Sequence, residues 1–318
     1  MEVYHDVADF RPASGNIVTV GTFDGVHIGH RTIINRINEL AKDQNAESVL
    51  LTFWPHPRLV LFPDDNELKL LSTLKERIEL LRESGIDHLI IHPFSVDFSR
   101  ITAVEYVRDI LVRDINVSKL VIGYDHHFGR NREGNLEELK IVAPDYGFEV
   151  EEISAQEIYD VNVSSTKIRN ALLEGDLAKA NEFLGYRYSV SGKVVKGKRI
   201  GRSIGFPTAN IEPDESYKLI PGNGVYSVTV HYDGKIYRGM ANLGSRPTVS
   251  DSEERMLEVN LFDFDGDLYE KEIKVTFVDR IRDEIKFESL DLLSAQLQKD
   301  AVVAERHLDD LSDHDIIY

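Results

Sequence analysis

The chain has 318 residues, 42% of them hydrophobic and 29% charged, with a formal net charge of −18. That length favours two domains over one core, and the composition is that of a soluble globular protein. The acid excess argues against general affinity for nucleic acid, and the absence of cysteine excludes disulfides, thiolate catalysis and Cys-ligated zinc.

No apolar run approaches the roughly 20 residues that span a bilayer. The opening Met1-Glu2-Val3-Tyr4-His5-Asp6 lacks the basic and apolar regions of a signal peptide, which predicts a cytoplasmic protein with no membrane partner. From residue 17 to about residue 185, short apolar runs alternate with amphipathic segments. Residues 17–21, 48–53, 88–92, 119–123 and 148–153 read as strands. Residues 28–42, 73–84, 103–113, 136–146 and a pair over 166–184 read as helices. Strands alternating with helices predict a Rossmann-like parallel α/β sheet covered on both faces. Beyond Gly185 the texture changes. Residues 188–195, 224–232, 235–242, 256–264 and 270–278 read as strands, punctuated by Asp233-Gly234 and Asp265-Gly266, which predicts an antiparallel β-barrel. Residues 290–311 carry apolar positions near helical spacing and predict a terminal helix packed on that barrel. The expected domains are 1–185 and 186–318.

The string Gly21-Thr22-Phe23-Asp24-Gly25-Val26-His27-Ile28-Gly29-His30 joins the first of these strands to the first helix. A turn through Asp24-Gly25 delivers His27 and His30 to the first helical turn, where a spacing of three puts both imidazoles on one face. A helix N-terminus offers unpaired N–H groups and a positive dipole end to an anion. Two histidines there can donate to phosphoryl oxygens and stabilise charge that grows in a transition state. Ser164-Ser165-Thr166-Lys167-Ile168-Arg169 opens the last helix pair of the first domain. Its hydroxyls suit an N-cap, and Lys167 and Arg169 can grip a triphosphate at the same helix end. Thr52-Phe53-Trp54-Pro55-His56-Pro57 follows another strand end and is fixed by two prolines, with Phe62 just beyond.

His27-Ile28-Gly29-His30 resembles the signature of class I nucleotidyltransferases, which class I aminoacyl-tRNA synthetases share. The longer string is similar to the N-terminal module of the bacterial bifunctional riboflavin kinase/FMN adenylyltransferase (FAD synthetase) family. The resemblance implies that Gly21, Phe23, Asp24, Gly25 and Gly29 belong to the nucleotide site, with Asp24 holding the turn or a nearby donor rather than acting as a base. It makes the Ser164, Ser165, Thr166 and Lys167 segment the second nucleotide-binding signature, and His27, His30 and Arg169 the groups that stabilise the triphosphate. The 52–57 segment matches the family's Thr-Phe-x-Pro-His-Pro, and Phe62 then offers a face to the flavin. Asp125, in Gly123-Tyr124-Asp125-His126-His127-Phe128-Gly129, stands at a third strand end, where the family usually has an aromatic residue in place of His126. The adjacent His126-His127 pair does not make a zinc site, since neighbours rarely point at one ion. The implied chemistry is attack by the FMN phosphate on the α-phosphorus of ATP, with pyrophosphate leaving and no covalent enzyme intermediate.

In the second domain, residues 192–199 nearly spell a P-loop, but Arg199 stands where its hydroxyl should be and no helix pattern follows. Gly205-Phe206-Pro207-Thr208-Ala209-Asn210 is more informative. If it is extended, Thr208 and Asn210 project to one side and present neutral oxygens suited to a magnesium ion carrying ATP phosphates. Gly-Phe-Pro-Thr-Ala-Asn is the hallmark of riboflavin kinases, so the resemblance implies Thr208 and Asn210 as Mg2+ ligands. Gly192, Gly197, Gly201 and Arg202 resemble the family's phosphate-covering approach. Glu258 alternates with apolar Leu257, Val259 and Leu261, so it faces away from them. The resemblance makes it the general base for the ribityl hydroxyl. Asn242 and Arg246-Pro247-Thr248 also match family strings, whereas Asn260 stands where the family usually has histidine. Asp263-Phe264-Asp265-Gly266-Asp267 reads as a hairpin turn, its glycine coming too early for a calcium loop.

The expectation is thus a two-step flavin enzyme, with ATP as co-substrate, riboflavin, FMN and FAD as substrates and products, no macromolecular partner, and a monomeric or weakly homo-oligomeric state. A nucleotidyltransferase for another phosphorylated acceptor would leave the Pro-Thr-Ala-Asn barrel unexplained. A flavin-binding regulator without turnover is opposed by intact His27, His30, Thr208, Asn210 and Glu258.

Overall fold

The computed structural model describes residues 1–12, 15–64, 68–123, 128–130, 133–153, 163–197, 201, 204–246 and 254–311. The chain divides into two compact units, Met1–Ser164 and Ser165–Tyr318.

Six strands build the first unit: β1 (Glu2–Tyr4), β2 (Asn16–Val20), β3 (Ser48–Trp54), β4 (His88–Pro93), β5 (Val117–Gly123) and β6 (Glu149–Ile153). They pair in the order β1-β4-β3-β2-β5-β6, every pair parallel. Successive side chains leave opposite faces of a strand. Ile17, Leu50 and Val121 accordingly pack with Ile34, Ile37 and Leu40 of α1 (Ile28–Gln44) in one buried cluster. Val18, Leu51 and Leu120 pack on the other side with Tyr106, Val107 and Leu111. Those three lie on a helix that opens as α over Ala103–Glu105 and continues as a π-helix over Tyr106–Asp114. The remaining helices are α2 (Pro57–Leu61), α3 (Leu74–Glu83) and α5 (Leu136–Val142), with α4 the opening turn Ala103–Glu105. From β2 the chain passes to β3 on one side, while β5 flanks β2 on the other. Open parallel sheets bind ligands beyond the carboxyl ends of their strands at such a reversal of order. Strand β2 ends there, at Val20, and hands the chain to the Gly21-to-His30 string.

The second unit opens with α6 (Ser165–Glu174) and α7 (Leu177–Leu184). Six strands follow: β7 (Ser189–Val195), β8 (Ala209–Pro213), β9 (Gly224–Tyr232), β10 (Lys235–Arg246), β11 (Glu254–Leu261) and β12 (Glu272–Arg282). They close into a barrel in the order β10-β11-β8-β7-β12-β9. Asp233 and Gly234, at φ 51° and 69°, turn β9 into β10 as a two-residue hairpin whose twist suits the strands. The terminal helix α8 (Leu290–Asp309) is tied to the barrel by polar pairs at buried positions. Ser227 Oγ meets His307 Nδ1 at 2.9 Å, and Arg282 grips the buried Asp300 through Nη2 at 2.7 Å and Nε at 3.0 Å.

The compact units divide at Ser164/Ser165, before the helix pair, whereas the expected boundary follows Gly185. The helix pair packs on the barrel: Gly222 N–H donates to Leu172 O at 2.8 Å, and Tyr188 N–H to Asn181 Oδ1 at 2.8 Å. The apolar stripe of a helix pair says that it covers a core, not which one. Residues 263–267 do not form a hairpin, because β11 pairs with β10 and β8 whereas β12 pairs with β7 and β9. The segment links strands that are not neighbours, a topology that turn residues cannot reveal.

Candidate active sites

The Gly21-to-His30 loop is anchored from below. Asp24, 1% exposed, accepts from Leu71 N at 3.0 Å and Ser72 N at 3.1 Å, and Gly25 N donates to Ser72 Oγ at 3.1 Å. The carboxylate thus holds the turn, as the sequence suggested for it. Phe23 and Val26 take positive φ of 48° and 37° beside Gly25 at 79°. For a β-branched residue that is strained backbone, costing on the order of 1–3 kcal/mol. Both side chains are buried, which pins the loop in this shape.

His27 is the N-cap of α1, and its Nδ1 accepts the N–H of His30 at 3.3 Å. That role puts the proton of the neutral ring on Nε2, a hydrogen-bond donor. The two imidazoles stack with centroids 3.6 Å apart and planes 14° from parallel, and Phe23 lies 5.0 Å from His30. Burial first, then the charges of His27 and Arg77, push the His30 pKa well below the usual histidine range. Imidazole N–H groups at a helix N-terminus can donate to phosphate oxygens while the dipole attracts the anion.

The other sequence-predicted residues of this unit are placed less tightly. Gly29 is buried in the first turn of α1, and Gly21 packs under Phe23, whose Cε2 would lie 3.0 Å from an added β-carbon. His56 caps α2 by accepting from Arg58 N at 3.2 Å, and Phe62 follows that helix with 57% of its surface exposed. Asp125 lies outside the described residues, as does His126. Ser164 closes the first unit, and Ser165, Thr166, Lys167 and Arg169 stand on the first turns of α6, in the second unit. Ile168 between them is fully buried, while Thr166 and Lys167 are exposed.

On the barrel the register assembles a second site. Glu258 of β11 lies opposite Asn210 of β8 on one side and Asn242 of β10 on the other. Its neighbours Leu257 and Val259 are buried between apolar partners, so the three polar residues share the opposite face. Asn210 is 4% exposed, and its Oδ1 has no hydrogen-bond partner among the described residues. A buried neutral oxygen left unpaired costs free energy, and a hard cation is a ligand that would satisfy it. With the Thr208 hydroxyl two residues away, the donor set fits magnesium. Gly197 approaches so closely that an added β-carbon would fall 2.1 Å from Asn210 Nδ2. Gly201 accepts from Phe206 N at 2.9 Å, and a β-carbon there would meet Phe206 O at 2.1 Å. Gly192 sits within β7, where Glu212 O occupies the side-chain space at 2.3 Å, so backbone packing accounts for that glycine. Arg202 and Thr248 lie outside the described residues.

Comparison with known proteins finds both halves. A family model described as FAD synthetase matches residues 10–167, and one described as riboflavin kinase matches residues 184–308. Proteins named bifunctional riboflavin kinase/FMN adenylyltransferase are similar over most of their length. That of Listeria monocytogenes is 37% identical over 89% of this chain and 90% of its own. That of Escherichia coli K12 is 38% identical over 92% and 93%. The chain belongs to the bifunctional riboflavin kinase/FMN adenylyltransferase family. A crystal structure described as a macrolide-efflux protein from Streptococcus pneumoniae also matches with a TM-score of 0.87 at 34% identity, covering 98% of this chain and 99% of that one. Among the described residues here, no helix is long and apolar enough to cross a membrane.

Three residues beside the sites carried no sequence assignment. Ser72 anchors the loop. Arg77, fully buried on α3, lies with its guanidinium carbon 5.7 Å from the Trp54 ring and contributes to the depressed His30 pKa. Asn260 stood out only as a departure from the family pattern. A signal for the first two exists in Thr73-Leu74-Lys75-Glu76, a capping-box spacing that fixes where α3 begins and so places Ser72 and Arg77.

Proposed function

We propose that the barrel unit transfers the γ-phosphoryl group of ATP to riboflavin, giving FMN and ADP, and that the parallel-sheet unit joins FMN to the adenylyl group of a second ATP, giving FAD and pyrophosphate. The observation that carries the kinase half is the row Asn210, Glu258, Asn242, with a buried carbonyl oxygen at one end that has no partner among the described residues. Glu258 takes the proton of the ribityl hydroxyl as its oxygen attacks the γ-phosphorus. Thr208 and Asn210 hold Mg2+, which when bound neutralises phosphate charge. In the other half the stacked His27 and His30 stabilise the charge that builds on the triphosphate as the FMN oxygen attacks the α-phosphorus and the bond to pyrophosphate breaks. Lys167 and Arg169 enter on the resemblance of their segment to the family's second nucleotide-binding signature.

Incubation with riboflavin, ATP and Mg2+, followed by chromatographic separation of the flavins, tests the assignment. The unaltered chain should yield FMN and then FAD. Glu258→Gln should lose riboflavin phosphorylation by about 100-fold or more while still converting supplied FMN to FAD. Failure to make either product from the unaltered chain would remove the enzymatic reading, and FMN formation by Glu258→Gln at the unaltered rate would remove Glu258 as the base.

A further inference from the structure

The geometry points to Asn260 as a positioning residue of the kinase site, one whose carboxamide fixes Pro207 and thereby holds Thr208 in place for MgATP. This role rests on the kinase reading given above. Asn260 follows Glu258 by two residues on β11, so both side chains leave the same face of the barrel wall. It is 6% exposed, and its Nδ2 donates to Pro207 O at 2.7 Å.

The backbone explains why a side chain is needed there. Pairing between β8 and β11 runs from Ile211 opposite Leu257 to Ala209 opposite Val259, and stops. The next residues toward the loop are Thr208 and Pro207, and proline has no N–H with which to extend a ladder. The Asn260 carboxamide continues the pairing past that point by taking the proline's carbonyl. Thr208 is then fixed from both sides, by the ladder at Ala209 and by the clamp at Pro207. On the loop's other flank, Gly201 accepts from Phe206 N at 2.9 Å and its missing side chain leaves room for Phe206 O. The two outward side chains of β11 therefore divide the work. Glu258 addresses the acceptor hydroxyl, and Asn260 sets the segment that carries the metal-binding oxygens.

Asn260→Asp is the informative variant, because it keeps the shape and removes the donor. Asn260→Ala removes both, and Asn260→Gln keeps a donor. The full chain is assayed for riboflavin phosphorylation, and calorimetry measures its affinity for a non-hydrolysable ATP analogue with and without Mg2+. The expected result for Asp and Ala is a KM for MgATP raised about tenfold, with kcat much less changed and with only the Mg2+-dependent part of the analogue's affinity lost. Gln should restore most of that affinity. The thermal unfolding midpoint of the same preparations reports that the barrel is folded, and FMN-to-FAD conversion reports the same for the first unit. No FMN from the unaltered chain would overturn the kinase reading and this role together. FMN from the unaltered chain, with Asp and Ala binding Mg2+ and analogue as it does, would overturn the role alone. Equal loss of affinity with and without Mg2+ would also overturn it, in favour of general loosening of the barrel wall.

Discussion

His27 does two jobs with one ring: Nδ1 caps α1 by accepting from His30 N at 3.3 Å, and the opposite nitrogen carries the proton that can reach a phosphate. The two jobs separate in His27→Asn, since asparagine is among the best N-caps. That variant should keep the thermal midpoint of the first unit within a few degrees and lose FAD formation by about 100-fold, the scale on which a transition-state donor is missed. His30 has one job and a protonation state enforced by its surroundings. Its folded pKa is depressed, so the unfolded chain takes up a proton at His30 that the folded chain refuses. The stability from a neutral His30 is therefore complete above about pH 6.5, the unfolded value, and is lost as pH falls from there toward the lower folded value. Thermal midpoints measured from pH 7.5 to pH 5 should fall less steeply for His30→Gln than for the unaltered chain. Equal slopes would mean that His30 takes up its proton alike in the folded and the unfolded chain.

At the scale of elements, strand ends and loops determine the sites, and the sequence showed some of these better than others. The apolar run over residues 17–20 and the turn at Asp24-Gly25 made the first loop legible, including the shared face of His27 and His30. Strand β8 escaped, because Pro207 precedes it, Pro213 ends it and only five residues lie in it. Thr208 and Asn210 were found through the motif, while the partner that fixes Thr208 was not, since Asn260 lies far along the chain and its role follows from register. The π-helix over Tyr106–Asp114 has no pattern of its own to read, being an altered bonding of an ordinary amphipathic stretch. Glycines divide the same way. Gly192 serves strand packing, whereas Gly197 makes room for the Asn210 carboxamide. Gly197→Ala should push that carboxamide aside and raise the KM for MgATP in FMN formation by about tenfold, with FMN-to-FAD conversion unchanged. An unaltered KM would mean that the loop yields and Asn210 stays.

On the scale of the whole molecule, two compact units each carry one of the residue groups the sequence singled out for a separate step, apart from the segment after Ser164. FMN released by one chain is an ordinary solute for another. Full-length Glu258→Gln and His27→Asn, each unable to convert riboflavin to FAD alone, should therefore do so when mixed. A mixture that makes FMN but no FAD would show that the remaining site in Glu258→Gln is damaged too. The closed ring of six strands has a further consequence, for how the protein behaves when concentrated. A barrel leaves no open row of backbone donors and acceptors for a stray strand to join. The parallel sheet does have margins among the described residues. One is β1, only three residues long, and the other is β6, which bears Glu149, Glu151 and Glu152. Brevity guards the first margin and a row of charged side chains, the glutamates with Lys119, Arg36 and Lys140 paired to them, guards the second, so the sheet discourages edge-to-edge addition of another copy.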